Sequence, residues 1–233
     1  MKHRFSRRPA SSGFTLIELL VVIVIVAALS SLVFVVARRG LEKARAATCA
    51  SNLRQVGMLM NGYASENFGQ YPHGGPPDGW IDRLCVEMVS GYPENGGNAE
   101  KQTYFESGGG EIFNCPSDKD GRKNLHKSYL ANPRVVGMKT GDGDWLGNGA
   151  FSPQRQQALK YPARTFLVIE DWGRNSKLWK GNGLRYEGDI KKDAERPCHG
   201  DGRHFLYVDG HVEFMTQDPG AEGDGFDIYY KGE

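Results

Sequence analysis

The chain has little net charge, few cysteines and no metal-ligand spacing among those it has. Its 29 basic and 28 acidic residues balance to +1 at pH 7. Nucleic-acid binding needs a concentrated basic surface, so no nucleic-acid partner is expected, and solubility suffices to explain the charges. The four cysteines, Cys49, Cys85, Cys115 and Cys198, contain no CxxC pair, which removes the usual zinc-ribbon and thioredoxin-type readings. No segment has the signature of a nucleophile beside an oriented base, so a non-enzymatic protein without catalytic residues is expected. Two further absences are local. Met1 to Gly13 holds no acid, and Ala37 to Asn67 holds no proline.

Against these absences stands one long apolar run. From Phe14 to Val36 the only polar residues are Thr15, Glu18, Ser30 and Ser31. As a helix its 23 residues extend roughly 35 Å, enough to cross a bilayer core with some tilt. A cleaved secretory signal is the rival reading, but its apolar region is only about 7–15 residues and ends at a small residue. Here the run is longer and Gly13 precedes it. Lys2, Arg4, Arg7 and Arg8 give the preceding segment a positive charge, which by the positive-inside bias leaves the N-terminus in the cytoplasm and everything after Val36 outside.

Glu18 is the anomaly in this run, because a charge at membrane depth costs on the order of 2.5–3.5 kcal/mol on insertion scales and so marks function or a partner. One reading is that Glu18, about a turn from the helix start, reaches the headgroups at little cost. The other begins with a cut after Gly13. Phe14 would then carry an α-amino group four residues from Glu18, and the two could pair within one helix or between packed helices.

Gly13-Phe14-Thr15-Leu16-Ile17-Glu18 resembles the processing and methylation site of type IV pilins and type II secretion pseudopilins. The resemblance implies that a prepilin peptidase cuts after Gly13 and N-methylates Phe14, and that Glu18 registers the subunit in a filament. It also implies partners: the peptidase, other pilin or pseudopilin subunits, and inner-membrane lipid. The location implied is the bacterial inner membrane, single-pass, with a periplasmic C-terminal domain that assembly draws into a pilus or pseudopilus. Removing Met1 to Gly13 would leave 25 basic against 28 acidic residues, a net charge near −3.

Helical character continues past the membrane. Ala37 to Asn67 is rich in Ala, Leu, Arg, Glu and Gln, and Cys49, Leu53, Val56, Met60 and Tyr63 trace one stripe at spacings of four, three, four and three. Gly40, Gly57 and Gly62 weaken this helix by about 1 kcal/mol each relative to alanine, and Gly69, Pro72 and the cluster from Gly74 to Pro77 end it. A short helix is expected around Trp80 to Ser90, from Ile81, Leu84, Cys85 and Met88. A buried strand is expected at Thr165 to Glu170.

His204 to Met215 reads as a hairpin, because Asp-Gly between alternating runs is the strongest short-range turn signal. With Asp209 and Gly210 as a two-residue loop, Tyr207 faces Val212 and Phe205 faces Phe214, four side chains forming one apolar face. Leu206 opposite Glu213 and Val208 opposite His211 make the other face mixed. The hairpin is expected to pack on the amphipathic half of the long helix. The fold class is α+β: a long N-terminal helix, half transmembrane and half amphipathic, on an antiparallel sheet domain, as in pilins. The divisions are a leader at 1–13, a membrane or filament-core helix at 14–36, its amphipathic continuation at 37–67 and a globular domain at 68–233.

His199, His204, Asp209 and His211 crowd into one segment, and such residues serve metal sites and acid–base catalysis. The hairpin already explains Asp209 by backbone geometry and turns His204 and His211 to the mixed face, so a structural or subunit-contact role is expected. His199, nine residues, then Asp209-Gly210 resembles the processing-associated C-terminal motif of a large group of prepilin-like proteins. Cys49 to Gln55, Phe113 to Asp118, Ser128 to Asn132 and Asp209 to Glu213 fit that group as well. Some pseudopilins hold calcium, and Asp142 with Asp144 or Asp224 with Asp227 lie in acidic loops that could supply oxygens. The first loop departs from an EF-hand at Leu146 and Pro153, so polar loops and no cofactor are the preferred reading. Outside the cytoplasm a disulfide is permitted. Cys115 with Cys198 is the expected pair because both lie in the later, sheet-like half, while Cys49 is read as a thiol packing in the helix stripe. A different class of function stays open: a tethered periplasmic module binding carbohydrate or a surface, suggested by Trp80, Trp145, Trp172 and Trp179.

Overall fold

A computed structural model describes residues 14–74, 79–118, 128–137, 153–170 and 198–216. Its elements are α1 (Leu16–Glu66), α2 (Trp80–Met88), α3 (Asn98–Glu106), β1 (Tyr129–Ala131), α4 (Pro133–Val136), β2 (Phe166–Glu170), β3 (Arg203–Tyr207) and β4 (Val212–Met215). The four strands form one antiparallel sheet in the order β1-β2-β3-β4. This is the expected α+β architecture of a long N-terminal helix and a small antiparallel sheet. Internal contacts divide the chain into two units, Met1–Lys43 and Ala44–Glu233.

In the first unit, α1 runs through Val21 to Val26, a β-branched stretch that would favour a strand in water. In lipid every backbone polar group must be satisfied within its own segment, which a helix achieves and a lone strand does not. Every described residue of this unit is exposed, with Phe14 at 75% and Leu16 at 82%. The helix is long and apolar enough to cross a membrane.

The second unit contains the rest of α1. Cys49, Leu53, Val56, Met60 and Tyr63 are all buried, as their spacing predicts, and Asn52, Gly57 and Ala64 widen the stripe. Gly57 has a positive role beyond its helix penalty: a Cβ there would lie 2.9 Å from Leu206 Cδ1, so its bareness lets the helix settle against β3. The helix stops where Gly69 N donates to Ala64 O at 2.7 Å, with Phe68 and Gly69 at φ 55° and 80°. That reversal is a left-handed helix end. In α2, Trp80, Ile81, Leu84 and Cys85 are buried. Asp82 turns back to the Gly79 N–H and takes the Tyr92 hydroxyl.

The hairpin departs from the expected register. Leu206 pairs with Val212, Phe205 with Glu213 and His204 with Phe214, a slip of one residue. Tyr207 N donates to His211 O at 2.9 Å, so the loop is the three residues Val208, Asp209 and Gly210, with Gly210 at φ 92°. A left-handed glycine closing a three-residue loop is the second common hairpin solution. Because strand side chains alternate, one step exchanges the faces. Leu206, Val208 and Val212 pack with the α1 stripe, whereas Phe205 and Tyr207 join Leu130, Phe166 and Ile169 in a second apolar cluster. The hairpin does pack on the helix, by the face expected to be mixed. In β2 a register shift between Phe166 and Val168 turns the adjacent Leu167 and Val168 toward the same core.

Candidate functional site

Two places concentrate chemistry. At the N-terminal end, Thr15 and Glu18 bind reciprocally: Glu18 Oε2 accepts from the Thr15 N–H at 2.8 Å and from its hydroxyl at 2.7 Å, while the Glu18 N–H points to Thr15 Oγ1 at 3.3 Å. This is a capping box, in which a Thr and a Glu three residues later satisfy helix N–H groups that have no intrahelical partner. The Thr-x-x-Glu spacing was the available signal. It gives Glu18 a local task besides any intersubunit one, and it holds the carboxylate one residue from Phe14. Gly13 lies outside the described residues.

The second place lies in the Ala44–Glu233 unit, where α1, the segment before β1, the end of β2 and the start of β3 converge. Cys49 and Cys115 form a disulfide, with Cα atoms 5.2 Å apart. The expected Cys115–Cys198 bond is therefore replaced: Cys198 is buried and outside the bond. The reason is tertiary. Docking the α1 stripe on the core brings Cys49 to the segment that follows Phe113, a neighbourhood that position along the chain does not reveal. Cys115 is held by its N–H donating to Ser128 Oγ at 2.8 Å, and the Ser128 hydroxyl donates to Asp118 at 2.9 Å. The Tyr129 hydroxyl donates to Cys49 O at 3.4 Å, and burial followed by the nearby Glu170 charge pushes that phenol's pKa up.

Beside the disulfide is a wholly buried carboxylate, Glu170, at the end of β2. His204 donates its N–H to Oε2 at 2.7 Å and places Nδ1 2.9 Å from it, while His199 Nε2 lies 3.1 Å from Oε1. Burial pushes the Glu170 carboxyl up, but the hydrogen bonds from His199 and His204 and the charge on those rings outweigh it, holding the pKa below the usual carboxylate range. His199 Nε2 also stands 3.3 Å from Cys115 Sγ. A tight turn aims this ring: Cys198 N and His199 N both donate to Gly202 O, with Gly200 at φ 63°. Gly202 must be bare, since a Cβ there would lie 2.4 Å from Met215 O.

The expected histidine cluster is thus split. His199 and His204 meet Glu170, which sequence reasoning took only as the end of a strand. Asp209 and His211 sit at the exposed turn, where Asp209 Oδ1 accepts from His211 N at 3.1 Å and Nδ1 at 2.6 Å, and His211 stacks on Tyr207 at 4.2 Å. His204 faces Glu170 rather than a mixed surface. Of the tryptophans weighed for surface binding, Trp80 is buried edge-on to Phe113. Trp145, Trp172 and Trp179 lie outside the described residues, as do Asp142, Asp144, Asp224 and Asp227.

Comparison with curated proteins and with solved structures found no match to this chain. Residues 8–34 match the family model described as a prokaryotic N-terminal methylation motif. The stretch covers the Gly13-Phe14 bond, the capping box and most of the apolar run, so the N-terminal segment carries a prepilin-type methylation motif.

Proposed function

We propose that this chain is a pilin-like or pseudopilin subunit, cut after Gly13, N-methylated at Phe14 and assembled into a filament of the type IV pilus or type II secretion kind. The observation that carries the reading is the conjunction of the matched motif at residues 8–34 with an apolar helix that is exposed along its whole first unit. Such a surface needs lipid or neighbouring helices to cover it. Prepilin peptidase and sibling subunits are the partners, and the inner membrane is the starting location. Orientation rests on the motif more than on charge, because Arg38, Arg39, Lys43 and Arg45 follow the span and offset the basic leader. The divisions at 1–13, 14–36, 37–67 and 68–233 describe the leader, the lipid-facing helix, its domain-bound continuation and the exported domain. The spacing of His199 and Asp209-Gly210 supports membership of the prepilin-like group with that C-terminal motif.

In assembly, Phe14 to Val36 exchange lipid for neighbouring helices, and Glu18 answers the amino group of Phe14 on an adjacent subunit. Mass spectrometry of the native N-terminus tests the reading: N-methylated Phe14 is expected, and an intact Met1 or a terminus elsewhere overturns it. The tethered binding module is the second reading, and glycan binding by the exported domain without filament recovery of the full chain would favour it.

A further inference from the structure

The buried cluster has a composition that neither filament assembly nor the disulfide explains. Cys49 Sγ, Cys115 Sγ, His199 Nε2 and Glu170 Oε1 all lie within 4.8 Å of one another. Two sulfurs, an imidazole and a carboxylate are a zinc donor set, and soft thiolates select zinc over calcium or magnesium. We propose that, with its cysteines in the dithiol state, the chain binds one zinc ion through Cys49, Cys115, His199 and Glu170.

The geometry suits a tetrahedral ion. With zinc about 2.3 Å from sulfur and about 2.0–2.2 Å from nitrogen and oxygen, neighbouring ligand atoms stand roughly 3.2–3.8 Å apart. The Cys115–His199 and His199–Glu170 separations, 3.3 and 3.1 Å, already lie close to that spacing. The two sulfurs must part, which breaking their bond permits, and every other pair of ligand atoms starts within 4.8 Å. The outer partners are also in place. Glu170 offers Oε1 inward while Oε2 is fixed by two groups of His204, and Ser128 fixes Cys115. Such outer contacts orient metal ligands and commonly control affinity 10–100-fold. A pocket of about 370 Å³, its lining including Thr48, Asn52, Asn114 and Cys115, reaches one of the four ligands.

The chemistry balances. Zinc binding to the dithiol releases the two thiol protons and the Nε2 proton that His199 gives to Glu170, so that His199 binds through Nε2 and keeps its proton on Nδ1. Oxidation by a disulfide-bearing oxidoreductase forms the Cys49–Cys115 bond, converts the oxidant's disulfide to two thiolates and releases Zn²⁺. Both states tie α1 to the segment before β1, so the link survives a change of redox condition.

The test uses the full chain in mild detergent, reduced and titrated with Co²⁺ and then Zn²⁺. The expected result is one metal per chain, with a cobalt–thiolate charge-transfer band and the intense visible bands of tetrahedral Co²⁺, displaced by Zn²⁺ and absent from the oxidised chain. His199→Gln is expected to weaken zinc at least about tenfold, and Cys115→Ser to remove half of the charge-transfer intensity. Zinc should raise the melting temperature of the reduced wild type, a readout independent of how the variants fold. Lack of uptake by the reduced chain overturns the proposal. So does uptake that persists in the Cys49→Ser, Cys115→Ser double variant, which would place the metal on Cys85 or Cys198.

Discussion

Replacing Cys49 and Cys115 together by alanine, with zinc withheld, should cost the domain about 4 kcal/mol. The two residues are 66 positions apart, and the chain-entropy relation for closing a loop of that size gives about 4.4 kcal/mol at 25 °C, between the values for 15- and 100-residue loops. Net stabilities are about 5–15 kcal/mol, so this one bond is worth a large fraction of the total. A melting-temperature drop of roughly 8–16 °C follows for a chain of this size. The assay is urea unfolding of the full chain in mild detergent, followed by tryptophan fluorescence, with wild type under non-reducing conditions as the reference. The midpoint should fall. Reduced wild type with a chelator should fall equally, because the same constraint on the unfolded chain is lost. A loss below about 1 kcal/mol, with the bond present in the wild type, would refute the reasoning. The entropic term grows only with the logarithm of loop length, so the Cys115–Cys198 pairing would give nearly the same loss. Peptide mapping under non-reducing conditions separates the two, and a Cys115–Cys198 fragment would refute the connectivity itself.

Glu18→Gln should keep the capping box but remove the charge, whereas Glu18→Ala should lose both, the cap being worth about 1 kcal/mol. If registration needs the charge, both variants insert and are cleaved but fail to enter filaments, and normal assembly of Glu18→Gln would refute a role for the carboxylate charge. Phe68, at φ 55° and 88% exposed, holds a left-handed position at a cost, so Phe68→Gly should raise stability by about 0.5–1 kcal/mol in the same urea assay. Glu170→Ala should cost about 3–5 kcal/mol, since it strands two buried histidines and a backbone N–H. A loss near zero would show that water replaces the carboxylate. Gly57→Ala and Leu206→Ala should couple by at least about 0.5 kcal/mol in a double-mutant cycle, because removing the leucine branches makes room for the new methyl. Strict additivity would mean that helix and strand adjust independently.

The sequence by itself determined what depends on local order. The apolar run, the basic leader, the Gly13-Phe14-Glu18 spacing and the Cys49-to-Tyr63 stripe are periodic or contiguous signals, and the structure bears out the helix and its buried stripe. The strand at Phe166–Glu170 was legible for the same reason, since β-branched and aromatic residues in an unbroken run favour a buried strand. The capping box was also written in the Thr-x-x-Glu spacing of Thr15 and Glu18. Only the tertiary structure decided which side of the hairpin meets the helix. Asp209-Gly210 fits a two- or a three-residue loop, and the three-residue form sets Val212 rather than Glu213 opposite Leu206, on the side that packs against the helix. It also decided that Cys49 bonds Cys115, and that Glu170 stands between two histidines. Those residues come from four elements far apart in the chain, and no spacing rule joins them. Their meeting is set by how the helix stripe and the sheet share one core.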